Sequence, residues 1–173
     1  WIHEGFTSYS ENLYLDYHFG KETAATYTIG TRDKIRNDRP IIGTYNVDKE
    51  GSGDMYYKGA NILLTLRTIA QNDDLWRATL RGLSKEFYHQ TTTTAAVENY
   101  IANALNLDLT PFFNQYLREK DIPTFEYKID KKEMHYRFNN TIQGFTMPLR
   151  IKINEEYICC LLYTSDAADE PSS

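Results

Sequence analysis

The chain has 173 residues, of which 41% are hydrophobic and 14% aromatic, and its formal net charge is -5. This length suits one medium domain, or one domain and part of another, and no apolar run approaches the roughly 20 residues needed to span a bilayer. The mild acidity argues against a nucleic-acid-binding protein, because no basic stripe is present to neutralise phosphates.

Six helices are predicted over the first 120 residues, because apolar side chains recur there at three- and four-residue spacing. We expect Gly20 to end the first helix, Gly30 to interrupt the second and Asp54 to cap the third. Thr110 and Pro111 are expected to be the N-cap and the first residue of the sixth helix. The predicted ranges are about 2–18, 21–37, 54–71, 74–89, 97–105 and 112–117, with a long loop at 40–53.

The hydrophobic period changes from 3.6 to 2 at Pro123, which predicts strands. We expect an antiparallel meander of three strands with one buried face, so the fold class is mainly α with a C-terminal antiparallel β segment (α+β). A boundary falls near residue 122, giving a helical domain at 1–122 and the start of a β domain at 123–158. Residues 159–173 resemble translated sequencing-adapter read-through, and we expect this tail to be non-native.

The first helix carries acidic groups where core residues would be expected. Glu4 and Glu11 are seven residues apart, so they lie two turns apart on one helix face, beside an aromatic stripe. A carboxylate in that position is costly to bury unless a metal ion or a basic side chain meets it. On these residues alone, Glu4 is better explained as a helix-start carboxylate favoured by the helix dipole.

Two segments together resemble one family. Residues 1–6 read Trp-Ile-His-Glu-Gly-Phe, which resembles the tryptophan-x-x-glutamate-glycine-phenylalanine segment of aminopeptidase N-type zinc metallopeptidases, or gluzincins. Residues 56–60 read Tyr-Tyr-Lys-Gly-Ala, which resembles the tyrosine-x-lysine-glycine segment of the same family. The order and separation of the segments also match, over about residues 1–158. The resemblance implies the helical lobe of a thermolysin-like catalytic domain, followed by a truncated β-sandwich.

The resemblance also implies roles for three side chains. Glu4 would be the third protein ligand of a catalytic zinc ion. Tyr56 would donate a hydrogen bond to the oxyanion of the tetrahedral intermediate. Glu11 would support the site from outside the ligand set. The implied reaction is removal of N-terminal residues from peptides by metal-activated water.

The family's other two zinc ligands are the histidines of an HExxH helix, whose glutamate is the general base. No HExxH occurs in this chain, whose histidines are His3, His18, His89 and His135. We therefore expect a C-terminal fragment of the catalytic domain that binds zinc poorly and does not hydrolyse peptides by itself.

A second interpretation of the function also fits the residues. The rival function is a non-catalytic helical scaffold or a pseudoenzyme binding module. Without the motif, Tyr56 is better explained as a core tyrosine, and Lys58 is expected to be structural even with it. The expected partners are peptide substrates, without nucleic acid and without a membrane segment. The residues leave the compartment open, and the resemblance implies export to the periplasm or the cell exterior.

Overall fold

The computed structural model describes residues 1–131, 133–153 and 156–162. In that part of the chain the helices come first and the strands follow, so the α+β class is confirmed. The helices are α1 (Ile2–Phe19), α2 (Lys21–Thr31), α3 (Tyr57–Ala70), α4 (Asp73–Glu86), α5 (Thr94–Leu105) and α6 (Thr110–Phe113). The strands are β1 (Thr124–Asp130), β2 (Glu133–Asn139), β3 (Met147–Ile153) and β4 (Glu156–Leu162).

The first helix ends as predicted, at Gly20, which has a φ of 89°. The second helix is shorter than predicted and passes at Thr31 into a 3-10 turn at Arg32–Lys34. Its extension to residue 37 is wrong because the amides of Arg36 and Asn37 bind the Asp54 carboxylate, at 2.9 and 2.7 Å. Those amides are therefore not available to helix carbonyls.

The predicted capping role of Asp54 is wrong for the same reason. A 3-10 turn at Gly53–Met55 precedes α3, and the Ser52 hydroxyl accepts from the Asp54 amide at 3.2 Å. Asp54 is 3% exposed, and its carboxylate closes the loop between α2 and α3. The side chain thus satisfies backbone donors about 18 residues away in sequence rather than those of its own helix.

Polar side chains cap the start of α4 and α5. Asn72 caps α4 by accepting from two amides, and Thr93 caps α5 by accepting from the Ala96 amide at 3.2 Å. The predicted cap at Thr110 is one residue late, because Leu109 is the N-cap and Thr110 begins α6, with Pro111 in the first turn. This short helix continues into a π-helical turn at Asn114–Arg118.

The strands form two hairpins rather than one meander. β1 pairs with β2 and β3 pairs with β4, both antiparallel, and no pairing joins β2 to β3 among the described residues. The connection after β2 is held by the helical part instead. The Ile142 amide donates to Gln115 Oε1 at 2.7 Å, and Phe145 is fully buried against Tyr116. These contacts direct β3 away from β2.

The predicted non-native tail, residues 159–173, overlaps the second half of β4, whose backbone pairs with β3 through residue 162. A fourth strand is therefore present where three were predicted. Residues 163–173 lie outside the described residues.

One hydrophobic cluster extends through the helical part and into the strands. It includes Trp76 and Leu63, and also Phe138 and Met147 of the β segment. The last helical turn ends at residue 118 and the first strand begins at 124, on either side of the predicted boundary. The division into two domains stays a prediction. No helix in the described ranges is long and apolar enough to cross a membrane.

Candidate active site

The two motif segments touch through a pair of glycines. Helices α1 and α3 approach each other at Gly5 and Gly59. A Cβ atom added to Gly59 would lie 2.9 Å from the Gly5 Cα, closer than real Cβ contacts allow. A Cβ atom added to Gly5 would lie 3.2 Å from the Gly59 Cα and 3.3 Å from the Met55 carbonyl oxygen. This backbone contact therefore requires glycine at position 59 and is tight for any side chain at position 5.

Glu4 lies beside this crossing, in the first turn of α1. Its side chain is partly buried, and it makes no hydrogen bond or ion pair with any residue that the structure describes. Among the described residues its basic neighbour is the Trp1 amino group, whose pKa is lowered by burial and raised by the Glu4 charge. The helix dipole favours a carboxylate here, and the carboxylate oxygens remain available to an external ligand.

Trp1 fixes the start of this helix. The Trp1 indole donates to the Thr94 hydroxyl at 2.7 Å, and that hydroxyl donates to Glu98 Oε1 at 2.9 Å. Arg118 donates to both oxygens of Glu98, at 2.9 and 3.1 Å. Glu4 therefore stands on a turn tied to α5 and to the π-helical turn. The sequence did not predict this series of hydrogen bonds, because the residues that form it are far apart in sequence and follow no local pattern.

Tyr56 is the residue immediately before α3 and lies between the Met55 carbonyl and Gly59, both of which face Gly5. Its side chain is 43% exposed, and its hydroxyl has no partner among the described residues. The alternative interpretation of Tyr56 as a core tyrosine is therefore wrong. The neighbouring Tyr57 differs, since its hydroxyl accepts from Lys34 Nζ at 3.2 Å. Of these two adjacent tyrosines, Tyr56 is thus the one whose hydroxyl has no hydrogen-bond partner among the described residues.

Glu11 lies elsewhere. It is exposed, and its carboxylate accepts a hydrogen bond from the Tyr27 hydroxyl of α2. Because ionisation of Tyr27 would remove that donated proton, the contact raises the pKa of Tyr27 to about 12. Glu11 is about 10 Å along the helix axis from Glu4, from the rise per residue. Its supporting role at a metal site stays a prediction.

The described residues supply part of a metal site at most. No group of three or more His, Cys, Asp or Glu side chains in this part of the chain could hold an ion. The four histidines are all exposed, as expected for surface residues. A carboxylate oxygen is a normal zinc ligand, so Glu4 fits as one member of a set. Further ligands would have to come from outside the described residues.

A second polar cluster, formed around Arg67, joins α1, α2, α3 and α4. Arg67 forms ion pairs with Asp16 at 2.7 Å and with Asp73 at 2.8 Å, and Lys21 Nζ lies 2.9 Å from Asp73. The hydrogen bond from Arg67 holds the pKa of Asp73 well below its usual range. These four side chains line a cavity of about 390 Å³. Because the charges pair with one another, the Arg67 cluster acts as a structural tie.

Comparisons of the chain with models of protein families, with curated proteins and with solved structures found no match.

Proposed function

We propose that the chain is part of a zinc aminopeptidase, in which Glu4 is one protein ligand of the metal and Tyr56 is the oxyanion donor. The observation that carries this proposal is the contact of Gly5 with Gly59. Two segments some 50 residues apart, each resembling one motif of the same family, meet where their glycines let the two helix backbones approach closely.

The state of each side chain supports its role. Glu4 is partly buried and makes no hydrogen bond to the described residues, and the Trp1 indole, bonded to Thr94, fixes the turn that carries it. Tyr56 offers a neutral, unpaired donor on the turn that enters α3. Zinc, when bound, supplies a Lewis acid and lowers the pKa of its water. Glu4 would bind the zinc ion through a carboxylate oxygen. Tyr56 would donate a hydrogen bond to the substrate oxygen on which negative charge develops.

Two histidine ligands and the general base would be provided by an HExxH helix preceding residue 1, about 18 residues before Glu4. Reading the frame upstream of the Trp1 codon tests this at once. An HExxH at that distance supports the peptidase. An intact frame without it would favour the alternative, a non-catalytic scaffold or pseudoenzyme.

The activity test compares adjacent tyrosines in the product of the complete reading frame. Tyr56→Phe should lower kcat by about 10²-fold or more with zinc content unchanged, because one oxyanion donor is lost. Tyr57→Phe is the matched control, since it removes a hydroxyl that contacts only Lys34 among the described side chains. An unchanged kcat in Tyr56→Phe, or an equal loss in both variants, would remove Tyr56 from the mechanism.

A further inference from the structure

The hairpin of β1 and β2 presents a strand edge that no other strand covers. All residues of β1 are exposed except Phe125, which is partly buried. Among the described residues β1 pairs with β2 alone, so the outer edge of β1 has no strand beside it. The free backbone donors and acceptors of such an edge can pair with a strand of another chain.

One face of this hairpin is apolar from its base to its tip. Phe125, Tyr127 and Ile129 lie on that face, because alternate residues of a strand point the same way. At the base, Phe125 and Phe138 pack on the hydrophobic cluster. Further out, Tyr127 is 63% exposed and Ile129 is 66% exposed. A two-stranded hairpin is only marginally stable alone, so a further strand beside β1 would stabilise it.

The other face of the hairpin carries charges on either side of Tyr127. Glu126 accepts a hydrogen bond from Arg137 of β2 at 2.9 Å. Lys128 lies opposite His135 in the register, and its exposed side chain makes no hydrogen bond or ion pair with any described residue. The free edge of β1 therefore presents one acid and one base at equal distances from its central residue.

This arrangement makes β1 complementary to itself. If β1 lies antiparallel to β1 of a second copy with all seven residues opposed, the two-fold axis passes through Tyr127. Glu126 then faces Lys128 of the second copy, and Phe125 faces Ile129 of the second copy. Opposite charges that face each other across a pair of strands stabilise the pairing.

Other registers of the same pair are less favourable. A shift of two residues brings Glu126 against Glu126 of the second copy, or Lys128 against Lys128, depending on its direction, and like charges in that position are destabilising. A shift of one residue opposes the polar face to the apolar face. The charges of β1 thus select the register in which the whole strand is paired.

We infer that two copies of the chain associate through β1 and form a four-stranded antiparallel sheet in the order β2-β1-β1-β2. The apolar faces of the two hairpins become continuous, and each exposed Ile129 is placed beside Phe125 of the other copy. The edge of β2 lacks this complementarity, because His135 and Arg137 flank its central residue, Tyr136, and would face each other. This inference does not depend on the proposed peptidase function.

The expected dimer is weak, because seven residues a side are far fewer than the roughly 20–30 of a standard interface. We expect a dissociation constant of about 100 µM. Sedimentation velocity of the full chain should therefore show mostly monomer at about 10 µM and mostly dimer at about 1 mM. Over the same range, the NMR amide signals of residues 124–130 should shift.

Two charge reversals test the pairing. Lys128→Glu brings two carboxylates together at each contact and should weaken the dimer about 10-fold or more. Glu126→Lys brings two ammonium groups together and should have the same effect. An equimolar mixture of these variants restores opposite charges at both contacts, so it should dimerise about as the wild type does. Lys49→Glu, at an exposed lysine of the loop between α2 and α3, makes the same change in net charge as Lys128→Glu and should leave the dimer intact.

The inference is overturned if the wild type stays monomeric at about 1 mM, which would leave the β1 edge to a strand of a different protein. Unchanged dimerisation in Lys128→Glu, or a mixture that associates no better than its components, would also overturn it. Assembly beyond the dimer would contradict the two-fold contact, because β1 pairing with β2 of the next copy does not close. Should Glu126→Lys fail to fold, the wild-type amide signals decide, since shifts that spare residues 124–130 contradict the assigned edge.

Discussion

Adding one methyl group at the α1–α3 crossing should separate the two motif segments. In Gly59→Ala the new Cβ would meet the Gly5 Cα at 2.9 Å, and both atoms belong to helix backbones that cannot rotate away. The helices must therefore move apart. Overpacking of this kind costs about 1–3 kcal/mol.

An opposing effect is smaller. Alanine is favoured over glycine inside a helix by about 0.8–1 kcal/mol. The net expectation is that Gly59→Ala destabilises the chain by up to about 2 kcal/mol, from the difference of those two effects. Gly30→Ala in α2 is the control, because a Cβ there meets nothing within 4 Å. That variant should gain about 0.5–1 kcal/mol.

Urea unfolding followed by tryptophan fluorescence measures both variants. With a slope of about 2 kcal/mol per M, the urea midpoint should fall by up to about 1 M in Gly59→Ala and rise by up to about 0.5 M in Gly30→Ala. A Gly59→Ala midpoint at or above that of the wild type would refute the close approach of α1 and α3, and with it the structural support for the proposed site.

Two further predictions concern buried and paired polar groups. The Trp76 indole donates to the Tyr9 hydroxyl at 2.9 Å in the core, so Tyr9→Phe should leave that donor unsatisfied and cost about 1–3 kcal/mol in urea unfolding; a change under about 0.5 kcal/mol would contradict it. The Asp73 pKa is depressed in the folded state, so its contribution to stability is present above the unfolded pKa of about 3.9 and is lost as the pH falls further. Asp73→Asn should therefore flatten the decline in the free energy of unfolding between about pH 5 and pH 2, and an unchanged slope would show that Asp73 is not paired with Arg67.

The helices were predictable because local signals agree with packing. Gly20 ends α1, and the apolar spacing of α3 matches its buried residues, such as Leu63 and Leu66. The errors arose where a side chain serves a distant partner. Asp54 reads as a cap in sequence but binds amides beyond α2, which also shortens that helix. Nothing in a local window distinguishes these two uses of an aspartate.

The strands and the site show the same limit. The alternation of apolar and polar residues located the strands correctly. The predicted pairing of β2 with β3 is wrong because residues 140–146 contact the helical part instead. Motif reasoning selected Glu4 and Tyr56, whereas the contact of Gly5 with Gly59 could only be seen in three dimensions. The burial of Lys58 had one signal in the sequence. Lys58 lies one turn before the buried Ile62, which places it on the core face of α3.

Zinc content tests the central proposal most directly. In the product of the complete reading frame, purified without chelator, the wild type should hold one zinc ion per chain, and Glu4→Ala should lose most of it because one of three protein ligands is gone. Glu11→Ala, which removes an exposed carboxylate of the same helix, is the matched comparison and should lose less. Stoichiometric zinc retained in Glu4→Ala, or a wild type that binds none, would contradict the assignment of Glu4 as a metal ligand.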